Sequence, residues 1–254
     1  QPQRLGTGHA VMQAVPFLQQ ELDGNTLVLC GDAPFMDAET IQHALTMHEQ
    51  QGNAVTVITA ELDQPHGYGR ILRTETGIAG IVEEKDATEE QRRIQEVNSG
   101  AYWFRTADLI ALLDTLEPSN AQGEYYLTDT VGAAIAAGKR AGAYKTENAD
   151  VVLGANTRKD LLMLNEVARQ KILDKHMENG VNFVCTDGIL IGRDVEIGAE
   201  TTILPGTIIK GKSKIGMKST IGPNCLIENC SIGDLVTLNY VQAYESLIED
   251  AVKI

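Results

Sequence analysis

Gly31 and Asp32 follow directly on the apolar run Asn25–Cys30. In an open α/β sheet, ligands bind just beyond the carboxyl ends of strands, and a carboxylate there can do chemistry. Its hard oxygens suit Mg²⁺, which keeps few protein ligands and shares its shell with phosphates. The plainer reading of the same dipeptide is a turn or a helix cap, and both stand at this point. Leu5-Gly6-Thr7-Gly8-His9-Ala10 is a glycine-rich loop that opens into a helical pattern over 10–19. Such a loop offers backbone N–H groups to a ligand. It lacks the Lys-Ser/Thr ending of a phosphate-binding P-loop, and His9 by itself reads as a packing or capping residue. Gly67-Tyr68-Gly69-Arg70 reads first as a hairpin turn, with close approach of the backbone to a ligand as its functional alternative. Glu83-Glu84-Lys85-Asp86 after Ile81-Val82 can be a surface cap, and Asn98-Ser99-Gly100 a plain turn. The stretch 120–129 (NAQGEYYLTD) carries more hydrogen-bonding groups than a connection needs, and Asn156 can be a helix N-cap.

The elements that must position these residues divide the chain. Over 1–155 the spacing predicts strands at Asn25–Cys30, Ala54–Ala60, Gly100–Phe104 and Ala143–Thr146. Asp37 is placed to cap a helix through Thr40–Gln50, and Asp86 with Glu89 to form a capping box before a polar helix at 87–95. Strands alternating with helices predict a mostly parallel α/β sheet. Over 156–179, Leu161, Leu164, Val167, Ala168, Ile172 and Lys175 recur at helical spacing, and Gly180 stops the run. This predicts one long linker helix.

Beyond it, over 180–254, the pattern changes period. Ile191, Ile197, Ile203, Ile209, Ile215, Ile221 and Ile227 recur in steps of six, and a one-residue slip then gives Ile232 and Leu238. A period of six fits neither an α-helix nor a two-faced strand. It fits a triangular β-coil with each isoleucine on the axis and a glycine (192, 198, 216, 222) turning the corner through a φ that other residues avoid.

Charge and composition exclude several classes. A net charge of −14 argues against a nucleic-acid surface, and a chain with no run of eighteen apolar residues offers no membrane span. Cys30, Cys185, Cys225 and Cys230 form no CxxC pair, so we expect small core fillers in a reduced, cytoplasmic protein. The chain begins without Met in a polar stretch and stops inside a repeat, from which we expect part of a longer polypeptide.

Taken in order, 5–10 (LGTGHA), 31–34 (GDAP), 67–71 (GYGRI), 80–87 (GIVEEKDA), 98–100 (NSG), 120–129 (NAQGEYYLTD) and 154–158 (GANTR) closely resemble the bacterial bifunctional GlmU family. That family joins an N-acetylglucosamine-1-phosphate uridylyltransferase to a glucosamine-1-phosphate acetyltransferase. The resemblance covers essentially the whole chain, and the blocks 120–129 and 80–87 are its most specific parts. It implies a Rossmann-like nucleotidyltransferase sheet, a linker helix and the start of a left-handed parallel β-helix. It also implies transfer of UMP from UTP to N-acetylglucosamine 1-phosphate, giving UDP-N-acetylglucosamine, a cell-wall precursor, and pyrophosphate.

By the same resemblance Gln1, Gly6 and Thr7 contact the uracil end, and Cys30, Gly31 and Asp32 line the ribose and phosphates, Cys30 through its backbone. Gly69, Glu83 and Asn98 read the sugar. Asp32 and Asn156 hold Mg²⁺, and Thr128 and Tyr126 shape the sugar pocket. The family's N-terminal loop with its Arg and Lys is not among these residues, so the resemblance implies that this segment alone does not turn over. The acetyl-CoA site lies past Ile254. A homotrimer built through the β-helix is expected. The alternatives are a pyrophosphorylase for another nucleotide or hexose, and a trimeric β-helix acyltransferase or scaffold with an inactive front domain.

Overall fold

The structure is a computed structural model that describes residues 1, 3–75 and 77–254. The chain forms two compact units, Gln1–Asn156 and Thr157–Ile254. Among the described residues no helix is long and apolar enough to cross a membrane.

The first unit runs α1 (Thr7–Met12), α2 (Val15–Leu18), β1 (Asn25–Val28), α3 (Ala38–Gln51), β2 (Val55–Glu61), β3 (Arg70–Thr74), β4 (Gly77–Val82), β5 (Glu96–Arg105), α4 (Thr106–Leu113), α5 (Asp129–Ala136) and β6 (Ala141–Lys145). Asp37 caps α3 as its spacing predicts, accepting the Thr40 N–H at 2.7 Å. The strands form one sheet in the order β4-β3-β5-β2-β6, with β1 also pairing β5. The expected mostly parallel sheet is corrected to a mixed one. Among the described residues of this sheet only β2 and β6 pair in parallel, because β5 runs against β1, β2 and β3, and β4 runs against β3. Sequence spacing shows that strands alternate with helices, but not that β5 returns through the middle of the sheet.

Alternation along the strands builds a layer on each face. Val55 and Val57 of β2 and Tyr102 and Phe104 of β5 pack with Leu109, Leu113 and Val131 from α4 and α5. Ile58, Ala101 and Trp103 face the other way, with Ala44 of α3. The Trp103 indole N–H, donated to the Ile41 carbonyl at 3.0 Å, ties α3 to that face. The expected polar helix over 87–95 is corrected to a single 3₁₀ turn at Gln91–Arg93. Its reciprocal capping pair is Thr88 with Gln91, while the Asp86 carboxylate accepts the Ala121 N–H at 3.0 Å.

The second unit starts with α6 (Arg158–Glu178), capped by a Thr157–Asp160 box, so Asn156 is not the helix cap. Leu173 of α6 is fully buried in the core of a three-sided parallel β-solenoid that follows. Residues pair eighteen apart in the early coils, as in Ile203 with Ile221 and Ile209 with Ile227. The spacing then falls to seventeen at Ile215 with Ile232 and sixteen at Ile227 with Ala243. Every isoleucine of the six-step series is buried on the axis.

The corners are built differently from the expectation. The left-handed backbone falls two or three residues after the core position, on Glu200, Gly206, Gly211, Lys218, Asn224, Asn229 and Leu235. Of the five glycines that follow an isoleucine in the solenoid (192, 198, 216, 222 and 233), only Gly222 has a positive φ. Gly198 and Gly216 are needed for coil-on-coil contact instead: a Cβ on Gly198 would lie 2.7 Å from the Gly216 carbonyl carbon.

Candidate active site

β5 is the platform of the site. Opposite β2 its register jumps from Val57↔Tyr102 to Thr59↔Asn98, so two extra residues bulge out of β5 between them. Such bulges re-aim side chains beside functional sites. Gly100 holds the bulge at φ 77°, and the Ser99 hydroxyl pins it by donating to the Ile58 carbonyl at 2.7 Å. On its other edge β5 pairs with β1 at residues 102–105 and with β3 only at Val97. The bulge therefore faces the gap between the end of β1 and the start of β3.

A cavity of about 210 Å³ opens there, lined by Thr7, Cys30, Glu83 and Asn98 together with Val28, Leu29, Gly100, Tyr102 and Thr128. Five residues singled out from sequence, Thr7, Cys30, Glu83, Asn98 and Thr128, thus meet in one place. Glu83 accepts a hydrogen bond from the Thr128 hydroxyl at 3.0 Å. Burial raises its pKa above the ordinary carboxylate value, the Thr128 bond opposes the rise, and the charges of Asp129 and Asp86 add to it. Gly69 lies against this carboxylate, since a Cβ on it would sit 3.4 Å from both oxygens. Its carbonyl accepts the Asn98 N–H at 2.9 Å. The tight contact is with Ile81, whose Cγ2 would lie 3.1 Å from that Cβ, so glycine at 69 is a matter of close packing, while the left-handed turn residue is Gly67 at φ 87°.

Cys30 is not a core filler, and neither is the half-buried Cys185; only Cys225 and Cys230 are buried. The Cys30 thiol donates to the Gly100 carbonyl at 3.4 Å. Its pKa is raised by burial first and then by the charges of Asp32 and Glu83.

The glycine-rich loop is stitched to the segment around Tyr125. Gly8 N–H donates to the Tyr125 carbonyl and Tyr125 N–H to the Leu5 carbonyl, both at 2.8 Å. Gly6 has φ 105° and no room for a side chain, as its Cβ would lie 2.5 Å from the Tyr125 oxygen. The loop's Gly8 N–H is thus used within the protein. Among the described residues those of Gly6 and Thr7 have no protein acceptor. The Thr7 hydroxyl accepts from the Leu127 N–H at 3.0 Å. Gln1 reaches the Gly6 carbonyl at 3.3 Å and His9 at 2.8 Å, and His9 packs near the Tyr125 ring.

Gly31 and Asp32 lie just past β1, both exposed. The Asp32 carbonyl accepts the Ala155 N–H at 3.2 Å, which brings the residue before Asn156 onto the backbone of Asp32. Among the described residues the Asp32 carboxylate has no hydrogen-bond or ion-pair partner, and no cluster of three or more His, Cys, Asp and Glu exists. A carboxylate left open in this way, as that of Asp32 is, fits a cation such as Mg²⁺ that keeps few protein ligands and completes its shell with water and phosphate.

Nearby residues with strong sequence signals are held in hydrogen bonds within the protein. Asn120 caps its own loop, accepting from the N–H groups of Gln122 and Glu124, each at 3.2 Å. Tyr126 accepts from Gln122 at 2.6 Å. Glu84 binds buried Arg70 at 2.7 Å and the Gly67 N–H at 3.1 Å. Tyr102 is the lining residue that sequence reading missed. The signal for it was strand alternation, which puts 98, 100 and 102 on one face.

Residues 1–156 match the family model described as Nucleotidyl transferase, and the chain belongs to that family. Over its whole length it is 44% identical to the Bifunctional protein GlmU of Acetivibrio thermocellus and equally to that of Geobacillus sp. (strain WCH70). The chain spans about half the length of these curated relatives, 55% of each. It also resembles a solved structure of a candidate glucose-1-phosphate thymidylyltransferase from Bacillus anthracis, in complex with a sucrose. The TM-score is 0.50 at 21% identity, over 65% of this chain and 61% of that one. At that identity the likeness speaks for the fold alone.

Proposed function

We propose that the chain is the uridylyltransferase region of a GlmU-type enzyme, joining UTP and N-acetylglucosamine 1-phosphate into UDP-N-acetylglucosamine and pyrophosphate. The observation that carries the reading is the cavity in which Glu83, Asn98 and Thr7 converge beside Cys30-Gly31-Asp32. A phosphate oxygen of the sugar 1-phosphate attacks the α-phosphorus of UTP. The bond from that phosphorus to the bridging oxygen breaks, and pyrophosphate leaves with the electron pair.

The protein's share of this chemistry is positioning and electrostatics. Glu83 and Asn98 fix the sugar by its polar groups, so its phosphate approaches from one direction. The open N–H groups of Gly6 and Thr7, with Gln1, meet the uracil, and the backbone at Cys30 and Gly31 flanks the ribose and phosphates. Asp32 and Asn156 would hold Mg²⁺, which when bound neutralises charge on the phosphates.

The complete protein would work in the cytoplasm as a homotrimer and also acetylate glucosamine 1-phosphate from acetyl-CoA, at a site to which no residue here is assigned. We put the trimer contact on the solenoid face where Leu190, Ile208 and Leu226 stack outward in register. The other faces present a threonine ladder (Thr202, Thr220, Thr237) and the charged pair Glu196–Lys214. Sedimentation of the full-length protein as a monomer at micromolar concentration would count against the trimer.

The reaction is tested by offering the full-length protein UTP, ATP, GTP or dTTP with N-acetylglucosamine 1-phosphate or glucose 1-phosphate. UTP with the N-acetylated sugar should have the highest kcat/KM. A preference for another pair would move the chain to a different pyrophosphorylase specificity. No nucleotide binding at all would favour a scaffold or acyltransferase with an inactive front domain.

A further inference from the structure

The Asn98 amide has a fixed orientation. Its oxygen accepts the Gly100 N–H at 2.9 Å, so its NH₂ group is the end that lies 2.7 Å from the Tyr102 hydroxyl. An amide NH₂ only donates, and the phenol oxygen must therefore accept. That leaves the one phenolic proton without a partner in the protein, since no other hydrogen bond reaches this hydroxyl among the described residues.

Tyr102 is 2% exposed, and a buried donor left unpaired is costly. Among the described residues no hydrogen bond joins the phenol to the Glu83 carboxylate, whose donor is Thr128. Tyr102 nevertheless lines the cavity with Glu83, Asn98 and Thr128. Burial first and the Glu83 charge next hold the phenol well above its ordinary pKa, so the proton is present at any working pH.

We propose that the Tyr102 hydroxyl donates a hydrogen bond to the bound sugar, to a hydroxyl or amide carbonyl oxygen, and that the unpaired donor discriminates against ligands lacking that oxygen. The inference rests on the uridylyltransferase reading above. Asn98 is then more than a direct sugar contact: by donating to the phenol oxygen it turns the phenolic proton outward to the ligand.

The test uses the full-length protein and compares wild type, Tyr102→Phe, Asn98→Ala and the double variant. Tyr102→Phe should raise KM for the sugar 1-phosphate roughly five- to ten-fold, the scale of one hydrogen bond, with KM for UTP and the melting temperature unchanged. It should raise the sugar KM further in the Asn98→Ala background, because a direct contact survives loss of Asn98. An unchanged sugar KM in Tyr102→Phe, or no further rise in the double variant, overturns the proposal while leaving the reaction intact. A folded wild-type protein that turns over neither substrate overturns the reaction and this inference with it.

Discussion

The backbone carbonyl of Asp32 accepts the N–H of Ala155 at 3.2 Å. A residue just past the first strand is thereby joined to the last turn of the same unit, 123 positions away along the chain. Gly154 belongs to this contact, since a Cβ there would lie 3.4 Å from the same oxygen. The contact brings Asn156 to the Asp32 backbone, and the proposed cation site depends on it.

Gly100 is a second point, besides Gly6, where the site has no room for a side chain. An added Cβ would sit 2.5 Å from the Cys30 sulfur, on a backbone at φ 77° that side chains avoid. Gly100→Ala should destabilise the first unit by about 2–4 kcal/mol, through overpacking and backbone strain together. Adding Cys30→Ala should recover part of that loss, because it removes the clash and not the strain. Urea unfolding of the single and double variants measures both, and equal stabilities would show that the sulfur is not the obstacle.

Burial of Glu83 works against stability at neutral pH. Its carboxyl is pushed up by burial and by Asp129 and Asp86, so the folded state binds its proton more tightly than the unfolded chain does. For a raised pKa, the favourable contribution is present below the unfolded value and lost as pH rises through the folded one. At neutral pH the ionised group therefore destabilises the fold. Glu83→Gln should melt higher than wild type at pH 7 to 8, with the difference shrinking toward pH 4.5. Its kcat/KM for the sugar 1-phosphate should fall at least about ten-fold. A Glu83→Gln variant that melts lower at pH 8 would contradict this assignment.

His48 acts in the opposite direction. It is 1% exposed, bonded to Thr56 at 3.0 Å, and its pKa is lowered to about 4, by burial first and then by the Arg105 charge. A lowered pKa gives stability that is present above the unfolded value of 6.5 and lost as pH falls toward 4. The amount is at most about 3 kcal/mol. His48→Gln should flatten the acid limb of a stability-versus-pH curve between pH 6.5 and 4. A limb of the same steepness would mean that other groups drive acid unfolding.

The solenoid gives a paired prediction. Gly216 has no positive φ, but its Cβ would lie 2.5 Å from the Gly233 carbonyl carbon on the next coil. Lys218 holds the left-handed corner at φ 55°. Gly216→Ala should therefore cost about 2–4 kcal/mol, whereas Lys218→Gly should stay within about 1 kcal/mol of wild type, corner relief offsetting lost chain stiffness. Thermal melts of the two variants decide this, and the reverse order would return the corner role to Gly216.

Local patterns were legible in the sequence, and contacts between distant segments were not. The six-residue period is a local pattern, so the isoleucine stack, the phase slip and the coil could be read directly. The Asp37 cap was legible because Asp and Thr at that spacing meet within one turn. The corner chemistry was not, because Gly216 answers to residues on the next coil and its own φ is ordinary. The direction of β5 and its bulge depend on pairing between distant segments, which spacing along one strand cannot reveal. Thr7, Cys30, Glu83 and Asn98 could be named from their motifs. Tyr102 was missed because an aromatic in an apolar strand reads as core, and its function depends on which way the Asn98 amide faces.

The most direct test of uridylyl transfer at this site is pyrophosphate release from UTP and N-acetylglucosamine 1-phosphate by the full-length protein, with and without Asp32→Ala. Wild type should release pyrophosphate and the variant should lose about a thousand-fold or more of that rate, with binding of UDP-N-acetylglucosamine changed far less. A full-length Asp32→Ala protein that releases pyrophosphate at the normal rate would contradict uridylyl transfer at this site.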